Sequence, residues 1–127
     1  MRIIKFRAWD KLNKTMVKKD FFIHNNGLPV IMDSMVGDFM ELESCVLMQY
    51  TGLKDENGKE IYESDLVLFE FGNHQKAVLI VNFYNAHFIV VDKLRTGHED
   101  LWKCLTRGSL EVIGNLFENP ELFKEDK

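Results

Sequence analysis

Apolar and polar positions alternate from the start of the chain. Ile4, Phe6 and Ala8 take turns with Lys5, Arg7 and Trp9. A period of two predicts a strand with one apolar face and one basic-aromatic face. Asp10-Lys11-Leu12-Asn13 carries turn chemistry, and Thr15-Met16-Val17 returns as the second arm of a hairpin. Phe21-Phe22-Ile23 is a short apolar run, ended by Asn25-Asn26-Gly27. Leu28 to Met32 predicts another short strand. Pro29 has no N–H for a ladder, so this strand should start there or lie on an edge. Residues 33–45 fit two patterns. Val36, Phe39 and Met40 have helical spacing, while Phe39-Met40-Glu41-Leu42 suits a strand. An irregular connection with at most one helical turn is the expectation.

The middle of the chain is denser. Val46-Leu47-Met48 is apolar and leads through Gly52 to Asp55-Glu56-Asn57-Gly58. Asn-Gly joins two residue types that tolerate positive φ, so the chain should reverse there. It resumes at Ile61-Tyr62, kinks at Ser64-Asp65 and enters Leu66-Val67-Leu68-Phe69. Leu66 to Phe71, Ala77 to Val81 and Phe88 to Val91 are apolar without alternation. Such runs read as strands covered on both sides. Gly72-Asn73-His74-Gln75 and Tyr84-Asn85-Ala86 supply the turns between them. Leu101, Cys104 and Leu105 fit one or two helical turns, and Leu110 to Ile113 a closing strand that Gly114-Asn115 stops. The tail has Leu116, Phe117, Leu122 and Phe123 as apolar residues, so it should dock; residues 124–127 should fray.

Three segments resemble the YopX-like proteins of bacteriophages and prophages. The central one is Gln49-Tyr50-Thr51-Gly52-Leu53-Lys54-Asp55, then Asn57-Gly58-Lys59-Glu60-Ile61-Tyr62-Glu63 and Asp65. Ile4-Lys5-Phe6-Arg7-Ala8-Trp9-Asp10 is similar to that family's opening. Glu111-Val112-Ile113-Gly114-Asn115, with Glu118-Asn119-Pro120-Glu121-Leu122, is similar to its close. Ser64 departs from the pattern, which usually has Gly there. If that position needs positive φ, Ser adopts it at a cost on the order of 1 kcal/mol. The resemblance implies a phage origin and a β-rich fold. It implies no activity.

Composition sets the class. The chain has 127 residues, 46% of them hydrophobic, with ten Phe, three Tyr and two Trp. That suits one domain with a filled core. We expect a single domain with N-terminal hairpins over 1–45, the central motif and barrel over 46–113, and a tail over 114–127. The fold class is mainly β with little helix, built on a small SH3-like barrel over about residues 58–113. Cys45 and Cys104 make neither a zinc site nor a disulfide framework. They fit a reducing cytoplasm, here that of a bacterial host, and no run reaches the ~18 apolar residues of a membrane helix.

The net charge of −4 gives no general attraction to nucleic acid, but its distribution is uneven. Residues 1–19 have seven Lys/Arg against one Asp; residues 20–70 have two Lys against eleven Asp/Glu. Such a split can make a basic face and an acidic face, or the segments can pair with each other.

Candidate chemistry is sparse. Asp55, Asn57 and Lys59 have the spacing of a calcium loop, but Lys59 and Leu66 stand where two carboxylates are needed. Glu60, Glu63 and Asp65 lie close enough in sequence for acid–base work, but more simply face solvent or cap the turn. His24, His74, His87 and His98 are scattered, and no phosphate loop occurs. No catalytic residue, metal site or cofactor is expected. Gln49, Tyr50, Gly52, Asp55, Asn57, Gly58, Tyr62 and Asp65 form a structural motif. The best contact face is basic and aromatic: Lys5, Arg7, Trp9, Lys11 and Lys14, with Lys18 and Lys19 near. Lys and Arg neutralise phosphates, and Trp stacks on bases. The first expectation is a non-enzymatic module acting through protein contacts, as a homo-oligomer or with a phage or host protein. The alternative is a nucleic-acid-binding accessory protein.

Overall fold

The computed structural model describes residues 3–18, 21–23, 25–27, 29–33, 38–41, 45–93 and 97–124. Of the expected connection over 33–45, residues 34–37 and 42–44 lie outside these, as do Lys19, His24 and residues 125–127. The chain is mainly β, and packs as two compact units, residues 4–49 and a second running from Tyr50. The boundary between the units falls inside a long strand, and the C-terminal tail belongs to the second unit.

The first unit opens with the expected hairpin, β1 (Phe6–Asp10) and β2 (Thr15–Val17), with Ala8 opposite Val17. Its turn is held by Asp10, whose carboxylate accepts the N–H of Leu12 (3.0 Å) and of Asn13 (3.2 Å) and the Asn13 side-chain amide (2.8 Å). Next come β3 (Phe21–Ile23), β4 (Pro29–Asp33) and β5 (Asp38–Glu41), antiparallel with β4 in the middle. Pro29 begins β4, where a missing N–H is tolerated. Residues 38–41 are strand, so the expected irregular connection gives way there to pairing with β4. β6 (Cys45–Lys54) is far longer than its apolar start suggests. Residues 45–49 pair with β1, placing Gln49 opposite Phe6.

In the second unit the rest of β6 pairs with β7 (Glu60–Tyr62) around the Asp55–Gly58 turn, with Tyr50 opposite Tyr62. β8 (Asp65–Phe71), β9 (Gln75–Tyr84), β10 (His87–Val91) and β11 (His98–Asp100) run as an antiparallel meander. Helix α1 (Leu101–Arg107) follows, and β12 (Ser109–Asn115) returns beside β8. The sheet order is β11-β10-β9-β8-β12, and the sheet curls as a half-barrel. Its inner face carries Val67, Leu79, Val81, Val90, Leu110 and Val112, closed by Ile61 and by Leu101 and Cys104 of α1. Burying one such aliphatic side chain stabilises the fold by roughly 1.5–3 kcal/mol. Leu66, Ile80 and Ile89 of the outer face are buried too. The strands are thus covered on both sides at their centres, as their unalternating sequence requires. Their ends are not: Phe83 and Tyr84 are each 53% exposed.

β12 runs through Gly114-Asn115 instead of stopping there, because a bulge between Val112 and Gly114 absorbs the kink. A Cβ on Gly114 would collide with the Asn119 side chain and displace the oxygen that accepts the Asn115 N–H, so glycine suits the folded-back tail. The tail docks as expected, its 3₁₀ turn at Pro120–Phe123 lying against β9.

Non-glycine residues sit in left-handed backbone at two key turns. Ser64 has φ 68°, so this position does need positive φ. Asn85 and Ala86, with φ 50° and 64°, make the two-residue turn between β9 and β10. That geometry matches a type I′ turn, which favours Gly at its second position. Left-handed backbone costs a Cβ-bearing residue roughly 1–2 kcal/mol, and glycine's freer unfolded chain takes back ~0.5–1. Ala86→Gly should therefore stabilise the protein by about 0.5–1 kcal/mol in urea unfolding; a loss would show that this turn is not strained.

Candidate functional site

The central motif gathers polar side chains around one turn. Asp55, only 7% exposed, is its hub. One carboxylate oxygen, Oδ1, accepts the N–H of Asn57 and of Lys59, both at 2.9 Å. The other, Oδ2, accepts the N–H of Val112 on β12, 57 residues away, at 2.9 Å. Beside it the Glu56 N–H donates to the Leu110 carbonyl at 3.0 Å. The turn thus serves as a short substitute strand along the edge of β12. Gly52 and Gly58 hold φ of 86° and 82°, as a long bent strand and a tight turn require. Thr51 Oγ1 donates to the Ile61 carbonyl at 2.7 Å, and the rings of Tyr50 and Tyr62 lie 5.5 Å apart.

Asp65 is buried, and its Oδ2 accepts the Tyr62 N–H at 2.7 Å, so it caps the kink as expected. Ser64 between them donates its N–H to the Val81 carbonyl (2.7 Å) and accepts the Leu116 N–H (2.9 Å). Opposite Asp65 in the ladder, Asn115 caps the tail: its Oδ1 accepts from Phe117 and Glu118, and its amide donates to Glu118. Of the motif residues singled out in the sequence, Tyr50, Gly52, Asp55, Asn57, Gly58, Tyr62 and Asp65 take part in this turn and kink, and Gln49 lies in β6 opposite Phe6. Burial pushes the Asp55 carboxyl up, but the N–H donors of Val112, Lys59 and Asn57 and the Lys59 ammonium outweigh it. Its pKa lies below the ordinary 3.8.

The basic-aromatic face does not assemble as expected. Lys5, Lys11 and Lys14 are exposed and Trp9 is half-buried, but Arg7 is only 5% exposed. β1 carries Arg7, Ala8 and Asp10 all buried, so it has no solvated face of alternating residues. Period two identified the strand but not the second covered face.

Two clefts in the second unit were not visible in the sequence, because sheet register creates them. One, of about 400 Å³, lies on the outer face of β9, β10 and β11. Ile89 and Val91 form its floor, Tyr84 and His98 its aromatic walls, and Asn82 and Glu63 add an amide and a carboxylate. The rings of Tyr84 and His98 meet edge to face, with centroids 5.7 Å apart. The other cleft, of about 330 Å³, opens from the inner face between Phe69, Phe71 and α1, with the Arg107–Glu99 ion pair (2.9 Å) at its wall. Cys104 lines it. Burial, then the Glu99 carboxylate, pushes this thiol up to about 11, so little thiolate forms near neutral pH. Among the described residues no three His, Cys, Asp or Glu side chains gather as metal ligands, and no helix is long and apolar enough to cross a membrane.

Comparison with known proteins follows the same lines. The family model described as YopX protein matches residues 5–124. The chain belongs to the YopX protein family. Two solved structures share the YopX-type fold over 98% of this chain and all of theirs. One is protein EF1440 from Enterococcus faecalis, 25% identical with a TM-score of 0.66. The other is protein yopX from Bacillus subtilis, 22% identical with a TM-score of 0.68. Among curated proteins none matches the chain.

The Asp55 geometry has a measurable consequence. Asp55→Asn turns an amide donor or a weaker acceptor toward Val112 and should cost about 2–3 kcal/mol in urea unfolding. A carboxyl whose folded pKa is depressed contributes stability above its unfolded value, near 3.8, and loses it as pH falls through the lower folded value. Wild-type stability should therefore drop below about pH 4, and Asp55→Asn should flatten that drop. Equal acid slopes in the two proteins would contradict this role for Asp55.

Proposed function

We propose that this YopX-family chain is a non-enzymatic module, phage- or prophage-borne and working in the host cytoplasm, that acts through protein–protein contacts, first of all with copies of itself. The observation that carries the reading is apolar surface left exposed beside a well-closed core. Phe83 and Tyr84 stand adjacent at the end of β9, Trp102 is exposed on α1, and Leu12 and Phe22 are exposed in the first unit. Single exposed apolar residues are ordinary, but adjacent aromatics at the rim of a cleft mark contact surfaces. The absence of catalysis is supported by the structural employment of Asp55 and Asp65 and by the high pKa of Cys104. An SH3-like reading of the barrel is supported by its strand order, a four-stranded meander, β8 to β11, followed by a fifth strand, β12, that returns beside β8. Nucleic-acid binding draws less support, since Arg7 is buried between Lys5 and Trp9.

Static light scattering at rising protein concentration tests this. The expected result is a mass above that of one chain, growing with concentration. A single-chain mass throughout, with no protein partner captured, would contradict the proposal.

A further inference from the structure

The β1–β2 turn is built to be presented. Leu12 at its tip is 80% exposed, the most exposed large apolar side chain among the described residues. Lys11 and Lys14 flank it, both exposed. Asp10 holds the turn through three hydrogen bonds, to Leu12 and twice to Asn13, and Lys14 sits in left-handed backbone at φ 53°. A turn pre-ordered this way loses little conformational freedom on docking. The chemistry of this knob is one apolar branch between two ammonium groups.

The outer cleft of the second unit has the opposite chemistry. Its floor is apolar, Ile89 and Val91; its walls are the Tyr84 and His98 rings; Glu63 and Asn82 supply acceptors. An aromatic face attracts an ammonium group, and a carboxylate pairs with one. A carboxylate has two oxygens with about four acceptor positions, so Glu63 receives an added donor without giving up others. From Tyr50 to Lys127 the chain has nine Lys/Arg against fourteen Asp/Glu, so the unit bearing the cleft is acidic.

We propose that the Lys11-Leu12-Asn13-Lys14 turn of one copy docks into the Glu63–Asn82–Tyr84–His98 cleft of a second copy. The proposal rests on the self-association reading and names the two surfaces that carry it. Leu12 covers Val91 above the buried Ile89, and the flanking ammonium groups reach Glu63 and the ring faces. Knob and cleft are different surfaces, so one contact leaves a live cleft on one copy and a live knob on the other, for a reciprocal contact or for further copies.

Sedimentation velocity on two variants tests it. Leu12→Asp removes the knob and keeps the cleft; Tyr84→Ala opens the cleft and keeps the knob. Both positions are well exposed, and unchanged thermal melts confirm folding. As a second cleft variant, Glu63→Lys reverses the charge. Each variant alone should associate at least tenfold more weakly than wild type, and added salt should weaken wild-type association. An equimolar mixture of Leu12→Asp and Tyr84→Ala should form dimers that grow no further, because one live knob meets one live cleft. Wild-type-like association of both variants would overturn this interface while leaving self-association standing. A mixture that stays monomeric would overturn it as well. A wild type that is itself monomeric would overturn both readings.

Discussion

The second unit of this fold turns on one carboxylate receiving three backbone N–H groups. Asp55 closes its own turn through Asn57 and Lys59 and reaches Val112 on the closing strand with its second oxygen. Hydrogen bonds to an ionised acceptor are about twice as strong as neutral ones. Here they also join segments 57 residues apart in the chain. β12 would otherwise end the sheet with bare N–H and C=O groups, an invitation to pair with another chain. The Asp55-Glu56 turn takes up the N–H of Val112 and the carbonyl of Leu110.

A second junction depends on the first. With β12 held, Asn115 falls opposite Asp65, and the Ser64 kink meets both β9 and the start of the tail. Ser64 gives its N–H to Val81 and takes that of Leu116. The left-handed backbone at Ser64 is a local cost, offset by two hydrogen bonds that need that bend. The same reasoning explains why Gly114 lies next to Asn115: the tail must turn back within van der Waals reach of its own strand.

How much of this was legible follows from range. The β1–β2 hairpin, the Asp55–Gly58 reversal and the three apolar strands are local patterns, and each appears where it is expected; residues 98–105, where the sequence pattern only fits a helical turn or two, divide into the end strand β11 and helix α1. β6 was read too short because Gln49, Thr51 and Lys54 interrupt its apolar run, while pairing with β1 and β7 keeps it extended. β12 was stopped two residues early because a bulge permits Gly114-Asn115 inside a strand. Arg7 was placed on a solvated face, since alternation cannot show that a strand's polar side is also covered. The Tyr84–His98 cleft needs the register that sets β9, β10 and β11 side by side, which no local pattern encodes.

The central motif builds architecture: Asp55 and Asp65 spend their carboxylates on backbone N–H groups of their own chain. The most direct test of that claim is amide hydrogen exchange of Val112 under native conditions. Held by Asp55, this edge amide should exchange as slowly as core amides such as that of Val81, through global unfolding. Removing the Asp55 carboxylate should leave Val81 protection limited only by the lowered global stability and release Val112 further, to local opening. Fast exchange of Val112 in the wild type would show an ordinary exposed edge, and the central role given to Asp55 would be wrong.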